Sequence, residues 1–203
     1  GTNFTTITVQ GGQITVTTSG PATGNLAIGA TDVNFLNFTV SPVVNAQIKI
    51  LRVEFHSTGT DIDGGDTTVT SAYITSVRVV DTDTNTAVTS SVDLSSFSDI
   101  GTNAGVYYAF TDVIDLTAGK VRNFKIMANL STSISAGTIY ATLGKAAATS
   151  YVFSSTSIKN TENNQYITDI VPSSAINGQQ QTIQTSSMTV TMATTPSSQS
   201  YIK

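Results

Sequence analysis

The chain has no cysteine and no tryptophan, one histidine and three methionines among 203 residues. Without thiols it forms no disulfide and no thiolate metal site. Charged residues make up only 11%, far below the roughly 25% of ordinary soluble domains. Nine Lys and Arg against 13 Asp and Glu leave a net charge of −4 and an isoelectric point near 4.7. No positive field gathers phosphates, so nucleic acid is not expected as a partner. No apolar run approaches the roughly 18 residues of a membrane span, and none is expected. The lack of a leader at Gly1 is read as the mark of a processed or excised chain.

What replaces charge is hydroxyl: Ser and Thr make up about 30% of residues by count. Thr, Val and Ile lose side-chain freedom in a helical turn and fit a pleated sheet, so the chain is expected to be all-β. Periodicity of two supports this over Val33 to Val40, Gln47 to His56, Ala72 to Val80, Val106 to Phe110, Arg122 to Leu130 and Thr138 to Leu143. The apolar phase flips between Ile50 and Leu51, which predicts a bulge or a strand buried on both faces. Turn formers separate the strands, among them Gly20-Pro21, Ser41-Pro42, Asp63-Gly64-Gly65-Asp66 and Asn177-Gly178. Strands without intervening helices predict an immunoglobulin-like antiparallel β-sandwich with an additional C-terminal strand.

A shift of 174 positions lays Thr8-Val9-Gln10 on Thr182-Ile183-Gln184 and Ile14-Thr15-Val16-Thr17 on Met188-Thr189-Val190-Thr191. Five of the ten columns 8–17 against 182–191 are identical. The apolar parity also switches at corresponding places, at Gly11-Gly12 and at Thr185-Ser186. A hairpin turn needs φ above zero, which Thr-Ser supplies poorly, so a kink in one long strand crossing between sheets is expected there. Residues 181–203, resembling 7–29, then open a following repeat, donate a strand to a neighbouring subunit, or return as the last strand of their own domain. Under the first two readings Ile183, Met188, Val190 and Met192 form an interface between subunits or repeats. The expected organisation is a sandwich over 1–145, an irregular connection over 146–180 with one or two strands, and the C-terminal strand.

AIGATDVNFLNFTV at 27–40, AQIKILRVEF at 46–55 and DLTAGKVRNFKIMANLS at 115–131 together resemble the Ig-like repeats of long tandem-repeat bacterial surface proteins of filament or S-layer type. The resemblance covers about residues 13–145. It implies an extracellular or cell-surface, non-catalytic structural role, with copies of itself or adjacent repeats as partners. An adhesin or carbohydrate-binding module of a larger secreted protein, with a glycan partner, is the alternative.

Candidate chemistry is sparse. Asp61, Asp63 and Asp66 on a glycine-turned loop are the oxygen ligands a Ca²⁺ ion would take, though Thr70 stands where an EF-hand has its Glu; Asp81 and Asp83 form a weaker pair. Glu54 and His56 share one strand face as a base and its orienter would, yet no serine elbow or cysteine accompanies them, and no enzymatic activity is expected. Tyr107 and Tyr108 are the candidate ligand contacts. Lys49 or Lys125 beside an Asn or Asp is a candidate crosslink. Three glycosylation sequons, including Asn37-Phe38-Thr39, are no more than chance supplies in a chain this rich in Asn, Ser and Thr.

Overall fold

A computed structural model of the chain describes residues 12–58, 73–101, 105–134, 136–146 and 149–184. In chain order the strands are β1 (Gln13–Gly20), β2 (Gly24–Ala27), β3 (Val33–Pro42), β4 (Ala46–Ile48), β5 (Leu51–Thr58), β6 (Ile74–Asp81), β7 (Thr86–Ala87) and β8 (Ser98–Gly101). There follow β9 (Gly105–Phe110), β10 (Ile114–Leu116), β11 (Arg122–Leu130), β12 (Gly137–Leu143), β13 (Ile158–Asn160), β14 (Asp169–Val171), β15 (Ile176–Asn177) and β16 (Gln181–Gln184). Among the described residues the only helical element is a 3₁₀ turn, Leu94–Ser96.

One sheet has the order β14-β1-β3-β11-β6-β7 and the facing sheet β2-β16-β12-β5-β9-β8, with a small third sheet β10-β4-β13. The runs β1-β3-β11-β6 and β16-β12-β5 reproduce the ABED and GFC orders of an immunoglobulin sandwich. Two pairs, β1 with β14 and β2 with β16, are parallel, so the sheets are mixed where purely antiparallel ones were expected. The second parallel pair arises because the chain leaves the first sheet at Gly20 and joins the second at Gly24, still running in the direction of β16. The described change of sheet therefore lies between Gly20 and Gly24; of the Gly11-Gly12 pair where a kink was expected, Gly11 falls outside the described residues.

The core lies between the two large sheets. On β3 both Phe35 and Leu36 are buried, because the register with β11 slips between Ile126 and Met127 and turns two successive side chains inward. Phe35 meets Phe55 of the opposite sheet edge to face at 5.3 Å, and Phe55 continues to Phe97 at 6.0 Å. The expected strand over Gln47 to His56 is two strands. The chain breaks at Lys49-Ile50 and passes from the small sheet to the second large one, which accounts for the phase flip. Residues 146–180, expected to connect, add to the packing instead: β13 joins the small sheet, β14 extends the first sheet and β15 pairs with β12. Val152, Phe153, Ile158, Ile167 and Ile170 give this segment an apolar face to bury.

The chain enters and leaves at opposite poles. At the incoming pole the Val43 amide donates to the Gln13 carbonyl at 3.0 Å; at the outgoing pole the Ile28 amide donates to the Gln184 carbonyl at 3.3 Å. β1 and β2 together cross the sandwich lengthwise, about 40 Å at roughly 3.3 Å per residue. Because Phe55 joins both sheets, Phe55→Ala is expected to cost about 3 to 5 kcal/mol, read as a lowered midpoint in urea unfolding with an unchanged slope.

Candidate functional site

Among the described residues a group of ionisable side chains lies on the outer face of β5. Alternation sends Leu51, Val53 and Phe55 into the core and leaves Arg52, Glu54 and His56 together on the other side. The Glu54 side chain is nevertheless fully buried, and those of Arg52 and His56 are 15% and 12% exposed. Arg52 Nη2 lies 2.7 Å and Nε 2.8 Å from Glu54 Oε1, and His56 Nε2 lies 3.1 Å from Oε2. The Ala146 amide also donates to Oε2, at 3.1 Å. Two flanking strands close the sides: Arg52 lies 3.6 Å over the Tyr107 ring, and His56 stacks on Tyr140 at 5.0 Å.

Two glycines allow this closure. Gly144, at φ 95°, turns the chain after β12 so that Ala146 reaches Glu54, and a Cβ there would lie 2.0 Å from the Tyr151 carbonyl oxygen. Gly105, at φ 117°, starts β9 against Phe55, where a Cβ would lie 2.3 Å from that carbonyl oxygen. Neither position tolerates a side chain.

Burial alone would push the Glu54 carboxyl up. Hydrogen bonds from His56, the Ala146 amide and Arg52, with the Arg52 charge, outweigh it and hold the group below its usual range. The Tyr140 phenol is pushed up by burial and then by the Glu54 charge. Chemically the arrangement is a carboxylate with both oxygens engaged, which secures the turn after β12 to the sheet.

The sequence brings Glu54 and His56 together as expected, and Arg52 was readable from the same parity. Ala146 and Tyr140 were not, because they come from other segments. Tyr107 and Tyr108 point to opposite faces. Tyr107 lies beneath Arg52, while Tyr108 packs on Phe97 and Phe110 at 5.5 and 4.9 Å. Neither is fully exposed, so they offer no joint platform, as the alternation of adjacent strand residues requires.

Asp81 is buried in an ion pair with Arg122 and accepts the amides of Asp83 and Thr84 at 2.9 and 3.1 Å. Asp83 accepts from Asn123 at 3.2 Å. Their oxygens hold a turn and a neighbouring strand. Burial raises the Asp81 carboxyl, and its bonds to Arg122, Thr84 and Asp83 more than reverse this, leaving it lowered. Lys125 donates to Asn85 at 3.1 Å on the exposed surface. Asp61, Asp63 and Asp66 lie outside the described residues, as do Met188, Val190 and Met192. Among the described residues no group of three or more His, Asp and Glu side chains is placed to hold a metal.

Ile183, expected at an interface between units, is 1% exposed inside its own sandwich, where β16 pairs with β12 on one side and β2 on the other. The buried Gln181 beside it donates to the Ala22 carbonyl at 2.9 Å, tying the strand to the crossover between β1 and β2.

Removing one partner of a buried pair is costly, so Glu54→Gln is expected to destabilise by about 3 kcal/mol, measured by chemical unfolding at pH 7. Since the folded carboxyl titrates below the unfolded value of about 4.3, its stabilisation is complete above that pH and is lost as pH falls through the lowered value. Thermal unfolding from pH 7 to pH 3 should therefore fall less steeply in Glu54→Gln than in the wild type, with the remaining slope carried in part by Asp81.

No family model matches the chain, and no curated protein matches it. A solved structure described as "AvmM Catalyzes Macrocyclization in Alchivemycin A Biosynthesis" is similar over 89% of this chain and 93% of that one, at 10% identity and a TM-score of 0.37. That neighbour is a catalyst, so the expectation that this chain has no enzymatic activity is corrected and not carried forward. At that TM-score the likeness assigns no reaction to this chain.

Proposed function

We propose that the chain is a structural repeat of an extracellular filament or surface layer, one of a linear series of sandwiches joined end to end. The observation that carries this reading is the agreement between the sequence repeat and the strand order. Under the shift of 174, β16 corresponds to residues 7–10, just before β1, and β1 corresponds to residues 187–194, just after β16. Residues 7–10 thus match the last strand at two of four positions and 187–194 match the first at three of eight. One period contains one whole sandwich. Opposite poles for Gly12 and Gln184 suit a linear series, and a hydroxyl-rich, weakly charged chain suits surfaces that stack without ion-pair networks. Tandem joining is favoured over strand exchange because Ile183 and Gln181 already complete their own sheet.

A second reading, a carbohydrate-binding module, has one observation of its own. A shallow groove of about 400 Å³ on the outer face of the first sheet is lined by Ser19, Asn34, Asn37, Thr39, Asn123 and Lys125 among others, amide and hydroxyl groups suited to a polyhydroxyl ligand. Binding on a glycan array that is lost in Asn37→Leu and Asn123→Leu would favour this role.

For the structural role, a chain ending at Gln184 is expected to keep the melting temperature and the monomeric state of the full chain. A chain ending at Gly178 loses the burial of Ile183 and the bonds of Gln181, and is expected to lose at least about 3 kcal/mol. Electron microscopy and scattering of both truncations check this. Filaments that vanish with residues 185–203 would instead show strand exchange, and an undamaged chain ending at Gly178 would refute the boundary.

A further inference from the structure

Given the tandem arrangement proposed above, on which this rests, we infer that the incoming pole of each sandwich is a docking face for the outgoing pole of the preceding copy. Consecutive copies then stack as a stiff rod rather than as beads on a flexible string. The first observation is where apolar surface is left uncovered. Of the five exposed large hydrophobic residues among those described, three lie beside the incoming pole: Val43 at 62%, Val121 at 54% and Tyr166 at 50%. Val43 follows the end of β3 and bonds to Gln13, while Gly119, just before Val121, donates to the Pro42 carbonyl. Tyr166 lines a small cleft with Gly12. Scattered exposed side chains need no explanation, but three beside the start of β1 call for a cover.

The second observation identifies the cover. Gln10 and Gln184 are the same residue under the shift, so successive copies are joined by the counterparts of Gly11 and Gly12 alone. Gln184 is held at the outgoing pole by its bond from Ile28. Gly12 lies so close to the incoming pole that a Cβ on it would sit 2.3 Å from Val44 Cγ2 and 3.4 Å from Ile167 Cδ1. One residue separates two points that are each fixed to a sandwich. Since an extended residue spans no more than about 3.6 Å, the two poles are drawn within about 7 Å of each other, too close to leave a solvated gap between side chains. The occupant of this apolar surface is therefore the preceding copy, at the surface formed by the turns after β2 and β11.

The test duplicates residues 11–184 in place within the full chain, preserving the Gln-Gly-Gly-Gln junction. If the poles dock, the duplicated protein scatters X-rays as one stiff rod, and its unfolding midpoint rises by several degrees over the single-copy chain. Val43→Asp with Val121→Asp in the downstream copy should abolish both effects. The same pair in the single-copy chain should leave its midpoint unchanged, because both residues are exposed there. Two folded copies that scatter as a flexible pair, with the midpoint of the single chain and no response to the substitutions, would overturn the docking face while leaving tandem joining intact. A second copy that does not fold across the two-residue junction, seen as half the near-UV signal per mass, would overturn tandem joining and the docking face with it.

Discussion

The contact on which the rest of the molecule depends is the meeting of Phe35 and Phe55 across the sandwich. A chain with 11% charged residues and no disulfide has few other means of holding two sheets together. Burial of large apolar side chains is the dominant stabilising term. The edge-to-face geometry keeps the sheets at packing distance, and the slip in β3 lets Phe35 and Leu36 both point inward. Around that centre Phe38 with Phe124, and Phe97 with Tyr108, extend the packing toward the two sides.

From this follows the double burial of β5. Its inner face is committed to the core, so its outer face carries the polar residues, and there the segment after β12 folds back over it. Covering a carboxylate is costly unless every oxygen has a partner. Arg52, His56 and the Ala146 amide supply the partners, and the glycines at 144 and 105 supply the room. In three dimensions Glu54 and His56 belong to a network that fastens the segment after β12 to β5.

The same economy appears at the chain's last described strand. β16 closes the second sheet between β12 and β2, and β2 reaches it because the chain changes sheets after Gly20. The first and last described strands are thereby linked through β2, and Gly12 and Gln184 come to lie at opposite poles.

Alternation along Val33 to Val40, Arg122 to Leu130 and Thr138 to Leu143, with turn residues between, was sufficient to identify strands and a sandwich, because side-chain period and burial are local properties of a pleated backbone. The shared face of Glu54 and His56 followed for the same reason. Only the tertiary structure decided that the phase flip at Ile50-Leu51 is a change of sheet. Only there did residues 146–180 prove to be part of the packing, Tyr107 and Tyr108 face apart, and Ile183 lie inside its own sandwich. Each of those outcomes depends on which distant segment arrives to cover a face, and a one-residue pattern carries no record of its partner across the sheet.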